Sequence, residues 1–193
     1  MSRVFRLSAF LFLAACSGSG YSPPKDLDNA CAIVKERPAY LKAMKKTQRK
    51  WGVPVATQMA VIYQESKFIG DARTPHKYAL GVIPMGRQSS AYGYAQALDG
   101  TWDEYLASDA GWRAKRHKIE DATDFIGWYF NKTAKSNGVA LNDTRNQYLA
   151  YHEGRTGFAR GSYRKKPWLM KVSDRLQDRA IRYHAQLLSC RKI

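Results

Sequence analysis

The sequence has few cysteines, few acidic residues and no long hydrophobic run. Three cysteines in 193 residues are too few for a small disulfide-rich scaffold. The longest apolar stretch, residues 7–15, is interrupted by Ser8 and is too short to cross a bilayer as a helix. Sixteen acidic residues stand against 32 Lys and Arg, so the formal charge is +16. The length and the charge indicate a single, strongly basic domain. The lack of long apolar stretches excludes a protein with several transmembrane helices.

Two kinds of cofactor motif are also missing. The four histidines lack the spacing of metal ligands; they are His76, His117, His152 and His184. No glycine-rich phosphate-binding loop is present. We therefore expect no metal ion and no other cofactor.

The first fifteen residues have the form of a secretory signal, because Arg3 and Arg6 form a positively charged region in front of a short apolar run. The run ends in Leu-Ala-Ala-Cys at residues 13–16, which resembles the bacterial lipobox and makes Cys16 the lipidation candidate. Two or three acyl chains on one residue would give stable anchoring. Ser17 follows instead of aspartate, which favours the periplasmic face of the outer membrane. The alternative is an ordinary cleaved signal with a chance cysteine.

The remaining chain divides into a short tether and one domain. Residues 16–27 are rich in Gly, Ser and Pro and predict a flexible tether, and residues 28–193 predict the folded domain. Cys31 and Cys190 lie near the two ends of that domain, and in an oxidising compartment they form a natural disulfide pair. Such a bond would stabilise the fold by about 4–5 kcal/mol in the loop-entropy model. Two buried free thiols are the alternative.

The positive charge indicates anionic partners without identifying them. Removal of Arg3 and Arg6 with the signal leaves +14 on the mature chain. In an exported protein, the available polyanions are peptidoglycan, with its carboxylates, and the membrane surface. A nucleic-acid-binding protein is a weaker alternative, because the export signal and the lack of a nucleic-acid motif argue against it. We expect no nucleic-acid partner, and we expect a monomer.

Helical periodicity dominates the domain. Apolar residues recur at helical spacing over 30–51, with a break at Pro38, and again from Val55 to about Phe68. Further helices are predicted over 120–136, from residue 142 or 143 to 153, and from Pro167 onward. Residues 69–92 form a long aperiodic segment, of the kind that is usually functional or disordered. No stretch shows strand alternation, so the predicted class is all-α with six or seven helices.

Three short segments carry the candidate chemistry: Gln64-Glu65-Ser66, residues 89–96 (SSAYGYAQ) and residues 149–154 (LAYHEG). Glu65 lies on the apolar face of its helix. If that face is covered, desolvation raises the carboxyl pKa toward neutrality, as a general acid requires. Taken alone, Glu65 is better explained as a solvated glutamate in the last helical turn.

Taken together, the three segments resemble the soluble lytic transglycosylase (SLT) domain, which has a goose-type-lysozyme-like fold. The similarity covers roughly residues 45 to 160. It includes the helix-terminal Glu65-Ser66 pair, the turn from Gly93 to Gln96, and Ala150-Tyr151-His152 followed by Gly154. Each motif is weak alone, whereas the ordered set of three is specific.

The resemblance implies a reaction in which Glu65 first protonates the oxygen between N-acetylmuramic acid and N-acetylglucosamine. Glu65 then acts as base on the 6-hydroxyl of the same sugar, and a 1,6-anhydro end forms without water. It also implies that Tyr151 orients the acid and that Gln96 binds sugar. Ser66 and Ser90 could bind Glu65 or substrate, although capping roles are as plausible.

The chain departs from the family pattern at several positions. Tyr94 and Ala95 replace Leu and Met in the turn, His152 replaces Asn, and Glu153 replaces a small residue. We count Tyr94 and His152 among the substrate-binding candidates, and expect Glu153 to pair with Arg155. The alternatives are a hydrolytic muramidase on the same fold, which needs a second carboxylate, and a non-catalytic peptidoglycan-binding lipoprotein.

Overall fold

The computed structural model describes residues 21–110 and 113–193. The predicted signal over 1–15 and the lipidation candidate Cys16 lie outside these residues. The described helices are α1 Ala30–Glu36, α2 Pro38–Trp51, α3 Val55–Ser66, α4 Asp99–Tyr105, α5 Ile119–Asn137, α6 Thr144–Glu153, α7 Arg155–Ala159 and α8 Pro167–Ser189. A π-helical segment follows α4 at Leu106–Ala110, and a 3₁₀ turn at Ser162–Lys165 precedes α8. None of the described helices is long and apolar enough to cross a membrane.

The helix ends follow local signals in the sequence. The Asn29 side chain accepts from the Ala32 amide at the start of α1, and the Asp143 side chain accepts from the Asn146 amide at the start of α6. Pro38 occupies the first turn of α2. Gly52 and Gly138 adopt left-handed conformations that end α2 and α5. These boundaries agree with the predicted helices within a few residues.

The core is continuous and largely aromatic around α5. Helix α5 packs on α2, while α8 packs on α3 and α6. Trp128, Phe125 and Phe130 on α5 are fully buried, and burying each such side chain stabilises the fold by about 1.5–3 kcal/mol. The mainly α-helical class predicted from the sequence is confirmed, with more helices than the expected six or seven.

Two short antiparallel strands, β1 His76–Ala79 and β2 Ile83–Arg87, correct the expectation of no strands. They lie in the segment between α3 and α4 that is aperiodic in sequence. Side chains on both faces of β2 are exposed. Without one buried face, the strands have no reason to alternate apolar and polar residues, so periodicity gives no signal.

The N-terminal segment from 21 to 27, which belongs to the predicted tether, packs on the domain. The Tyr21 carbonyl accepts from the Gly70 amide at 3.2 Å. Pro24 is buried. The Leu27 carbonyl accepts from the Tyr183 hydroxyl. The segment therefore follows the surface from α8 to the start of the loop after α3.

A disulfide joins Cys31 on α1 to Cys190 at the end of α8. Polar contacts reinforce the same junction. The Gln186 side chain accepts from the Ala30 amide at 2.8 Å, and Arg179 forms an ion pair with Asp28 at 2.7 Å. The two ends of the domain are thus fixed together, which holds α8 against α3 behind the candidate site.

Candidate active site

Glu65 is the penultimate residue of α3, and its carboxyl lies in a desolvated environment. The residue as a whole keeps partial exposure, so the carboxyl is enclosed by protein without being sealed off. Burial raises the pKa of Glu65 to about 7, opposed by a hydrogen bond from Tyr148 and by the charge of Lys67. At neutral pH, a substantial fraction of this carboxyl therefore carries a proton.

Two tyrosines of α6 face this carboxyl. The Tyr148 hydroxyl is hydrogen-bonded to Glu65, and burial together with the Glu65 charge raises its own pKa. Tyr151 lies one helical turn further on, and burial followed by the Glu65 charge raises its pKa well above the usual value. Both phenols therefore stay neutral and act as hydrogen-bond donors beside the acid.

Tyr148 was missed by the sequence reasoning. Its spacing from Tyr151 is i, i+3, which places both side chains on one face of α6. That spacing was the available signal, because any helix face that presents Tyr151 to Glu65 also presents Tyr148. Lys67, two residues after Glu65, was missed as well. Its left-handed backbone, with φ 52°, ends α3 next to the carboxyl.

A cavity of about 270 Å³ is lined on one side by Tyr151, and its volume lies just below the range of small-ligand pockets. Its wall brings together three predicted substrate-binding residues, Gln96, Tyr151 and His152. The remaining lining residues are Ala97, Leu98, Thr101, Phe125, Tyr129, Glu153 and Gly154. Glu65 is not among these lining residues. Tyr151 connects the acid to the cavity, because Tyr151 lines the cavity and the charge of Glu65 raises its pKa.

The turn from Gly93 to Gln96 contributes Gln96 to the cavity wall and requires particular backbone angles. Gly93 has φ 82°, and a Cβ atom there would lie 2.2 Å from the Arg116 carbonyl oxygen. Gln96 also has positive φ, at 48°, and its side-chain amide donates to the carbonyls of Ala72 and Gly93 at 2.9 Å. The Gln96 amide group therefore supports the turn itself.

Hydrogen bonds connect this turn to both α3 and α6. The Ser66 hydroxyl, buried at the end of α3, donates to the Tyr94 carbonyl at 2.9 Å and to the Ile62 carbonyl at 3.2 Å. The Tyr151 hydroxyl on α6 donates to the Ala95 carbonyl. The turn thus sets the distance between the acid on α3 and the phenols on α6.

Three of the predicted substrate-binding residues have structural roles here. Tyr94 is buried in the core and its hydroxyl bonds to that of Tyr40 at 3.0 Å, so its side chain faces away from the cavity. Ser66 is enclosed and bonded as described. The Ser90 hydroxyl accepts from the Asp99 amide at 3.1 Å, at the start of α4. The hydroxyls of Ser66 and Ser90 therefore bond to backbone groups and do not face a ligand site.

His152 is exposed at the cavity rim. Its Nδ1 lies 3.1 Å from a Glu153 carboxylate oxygen, and its ring meets Trp168 edge-on at 5.2 Å. The exposed Trp168 indole thus extends the rim with a large apolar surface.

Glu153 does not pair with Arg155, contrary to the sequence expectation. Its carboxylate accepts from Lys166 at 2.7 Å, from Ser162 and from His152. The hydrogen bond from Lys166 is the largest cause that lowers the pKa of Glu153 to about 2. Arg155 instead pairs with Glu104 on α4 at 2.9 Å. Closeness in sequence suggested the pair of Glu153 with Arg155. The structure forms a different pair, because the 3₁₀ turn before α8 brings Lys166 back to Glu153.

No carboxylate of the described chain contributes to the pKa of Glu65. Asp71 is exposed, and Asp99 is held by Arg116 at 2.6 Å. Retaining glycosidases keep two carboxyl groups about 5–5.5 Å apart, and inverting ones about 6.5–9.5 Å. The arrangement seen here is therefore one carboxyl group with a pKa near neutrality, accompanied by two phenols.

Comparison with known proteins gives one match. A family model described as a transglycosylase SLT domain matches residues 4–190. Neither the curated proteins nor the solved structures gave a match. The model spans nearly the whole chain, including all three segments on which the sequence resemblance depends. The protein therefore belongs to the lytic transglycosylase SLT domain family.

Proposed function

We propose that this protein is a lytic transglycosylase that cleaves the β-1,4 bond between N-acetylmuramic acid and N-acetylglucosamine in peptidoglycan, leaving a 1,6-anhydro end. Family membership supports transglycosylase activity on peptidoglycan. The observation that carries the finer proposal is the desolvated Glu65 carboxyl, which is hydrogen-bonded to Tyr148 and acts by its charge on Tyr151 in the cavity wall.

In the first step, Glu65 donates its proton to the glycosidic oxygen as the bond to the anomeric carbon breaks. A pKa of about 7 suits this role, because the group is protonated often enough and gives its proton up readily. The departing N-acetylglucosamine takes the proton as a hydroxyl group. An oxocarbenium-like centre develops on N-acetylmuramic acid, and Glu65 becomes a carboxylate.

In the second step, the Glu65 carboxylate takes the proton from the 6-hydroxyl of N-acetylmuramic acid. At the same time, the oxygen of that hydroxyl bonds to the anomeric carbon. Atoms balance without water, and Glu65 regains its proton. Tyr148 stabilises the transient carboxylate through its hydrogen bond. We assign Tyr151 the role of holding the 93–96 turn and facing the reacting centre, and assign His152 and the Gln96 wall to substrate contact.

A hydrolytic muramidase on the same fold is the closest alternative, and it would need a carboxylate to activate water. Glu153 lines the cavity, but Lys166 and Ser162 hold its carboxylate, which makes it a poor base. This pairing favours the anhydro-forming reaction.

Product analysis of purified sacculi tests the proposal. Mass spectrometry should find 1,6-anhydro-muramyl ends with the wild-type protein and almost none with Glu65→Gln. Glu120→Gln, at an exposed position on α5, is the matched control and should behave like wild type. Reducing ends would favour the muramidase. Binding without cleavage by wild type would favour a non-catalytic peptidoglycan-binding lipoprotein.

We also propose that the protein is exported, acylated at Cys16 and held, as a monomer, at the periplasmic face of the outer membrane. The lipobox-like residues 13–16 and Ser17 support this location. Metabolic labelling with an alkyne fatty acid should mark the wild-type protein, and Cys16→Ser should abolish the label. Labelling that survives Cys16→Ser would exclude this anchor.

A further inference from the structure

The β1–β2 hairpin presents an unusual group of apolar side chains to solvent. Leu80 is 91% exposed, Val82 76% and Met85 64%, and Tyr78 and Ile83 are at least half exposed. These five residues, which we call the hairpin tip, include half of the large hydrophobic side chains exposed in the described chain. Such concentration on one projection marks an interaction surface rather than scattered surface residues.

The base of the hairpin is firmly held, so the tip is presented in a fixed place. The Gln88 amide donates to the Pro75 carbonyl at 3.0 Å, and the Arg87 guanidinium donates to the Thr74 carbonyl at 2.7 Å. The Thr74 hydroxyl donates to the Ser89 carbonyl at 2.9 Å. These bonds connect the hairpin to the segment that leads into the 93–96 turn.

All the charged residues in the sequence around the tip are basic. Residues 72–98 contain no Asp or Glu, and they include Arg73, Lys77 and Arg87. A cavity of about 390 Å³ at the base is lined by Arg73, Arg87, Lys115, Arg116 and His117, and by one acidic residue, Asp99, which pairs with Arg116. An apolar projection with a basic flank complements an anionic lipid surface, where apolar groups enter the headgroup region and cations meet phosphates.

The N-terminal end of the described chain lies at the same side of the molecule. Tyr21 bonds to Gly70, and its ring meets His117 of the basic cavity at 5.6 Å. Cys16 precedes Tyr21 by five residues, a distance that an extended chain spans in at most about 18 Å. Any bilayer that holds an anchor at Cys16 therefore lies near the base of the hairpin.

We propose that the hairpin over 76–87 is a second membrane contact, whose apolar tip enters the interfacial region of an anionic phospholipid bilayer. Together with an anchor at Cys16, this contact would hold the protein at two points and fix the orientation of the Glu65 site relative to the membrane. The inference goes beyond peptidoglycan cleavage and does not depend on the catalytic assignment.

Site-specific fluorescence on the full-length lipoprotein tests this contact. The protein is reconstituted into vesicles of phosphatidylethanolamine and phosphatidylglycerol, after labelling of Leu80→Cys with an environment-sensitive fluorophore. Cys31 and Cys190 are joined to each other, so they do not take the label, and wild-type protein serves as the labelling blank. The matched control is Ile181→Cys on α8, at a residue that is also apolar and 59% exposed.

We expect the emission of the label at position 80 to shift to the blue and to be quenched by lipids that carry a doxyl group, with neither effect at position 181. Replacing phosphatidylglycerol by phosphatidylcholine should reduce the shift. Circular dichroism melting checks that both labelled variants keep the wild-type fold.

Four outcomes would overturn the proposal. They are an unshifted label at position 80, equal shifts at 80 and 181, a shift caused by sacculi but not by vesicles, and a concentration-dependent shift without lipid. The third would indicate a glycan contact and the fourth a second copy of the chain. Because the readout is label environment, a failed catalytic assignment would leave this result intact.

Discussion

Two glutamates near the same cavity have opposite protonation behaviour. Glu65 lies in the last turn of α3 and Glu153 ends α6, and the side chains of both are largely enclosed by protein. The pKa of Glu65 is raised to about 7, and that of Glu153 is lowered to about 2. Desolvation is the largest cause for Glu65, and the hydrogen bond from the neutral Tyr148 phenol opposes it only in part. For Glu153 the largest cause is the hydrogen bond from the Lys166 ammonium group, which outweighs desolvation.

The comparison shows that burial alone does not make a general acid. A carboxyl enclosed with a cation and two further donors is stabilised as an anion and is a fixed structural group. A carboxyl enclosed with neutral phenols keeps its proton near neutral pH and can exchange it. The predictions below test this difference, from the largest expected effect to the smallest.

Exchanging each glutamate for glutamine should separate the two roles. We expect Glu65→Gln to reduce the release of anhydro-muropeptides from sacculi by about 10²–10⁴-fold, because a carboxamide cannot donate the proton. Glu153→Gln should cost far less activity per folded molecule, because that carboxylate transfers no proton. A variant Glu153→Gln that is as inactive as Glu65→Gln, while fully folded, would break the comparison.

The same two variants should change stability in opposite directions at neutral pH. Glu153→Gln leaves the Lys166 ammonium without its anionic partner, and we expect unfolding in urea to be easier by about 1–3 kcal/mol. Glu65→Gln removes a carboxyl that resists ionisation only in the folded state. At pH 8 it should therefore be more stable than wild type, by up to about 3 kcal/mol.

The pH dependence of stability follows from the two shifts. The raised pKa of Glu65 means that its contribution is fully present below the unfolded value near 4.5 and is lost as pH rises through about 7. The lowered pKa of Glu153 means that its contribution is present above about 4.5 and is lost as pH falls toward 2. Urea denaturation from pH 3 to 8 measures these contributions. The loss of stability at alkaline pH due to Glu65 should disappear in Glu65→Gln, and the loss of stability at acid pH due to Glu153 should disappear in Glu153→Gln.

Removing the Tyr148 hydroxyl tests the neutral partner of Glu65. We expect Tyr148→Phe to lower the rate roughly tenfold, the value of one charge-assisted hydrogen bond of about 1.5 kcal/mol to the transient carboxylate. Since this bond lowers the pKa of Glu65, the alkaline limb of the pH–rate profile should also move to higher pH. Tyr163→Phe is the matched control, and an unmoved limb in Tyr148→Phe would remove Tyr148 from the catalytic set.

Lys67 should have the smallest effect. Its charge lowers the pKa of Glu65 less than Tyr148 does, so Lys67→Gln should move the alkaline limb upward by less than Tyr148→Phe. Lys135→Gln, an exposed position at the end of α5, controls for the loss of net charge. A downward shift in Lys67→Gln would show that the lysine does not act on Glu65 through its charge.

Local signals allowed much of this protein to be predicted from its sequence. Helix caps and glycine stops located α2, α5 and α6, because these signals act within one turn of the chain. The Glu65-Ser66 pair, the 93–96 turn and residues 150–152 identified the family in the correct order. The assignment of Glu65 as the acid stays a prediction that the geometry supports.

Only the tertiary structure decided which side chains face the cavity and which partners set each pKa. Tyr94 and Ser66 belong to the same motifs as Gln96 and Glu65, yet one is buried in the core and the other supports a turn. Tyr148 bonds to Glu65 and Lys166 bonds to Glu153, across 83 and 13 residues of sequence. Helix formation depends on near neighbours, whereas desolvation and charge pairing depend on groups that only packing brings together.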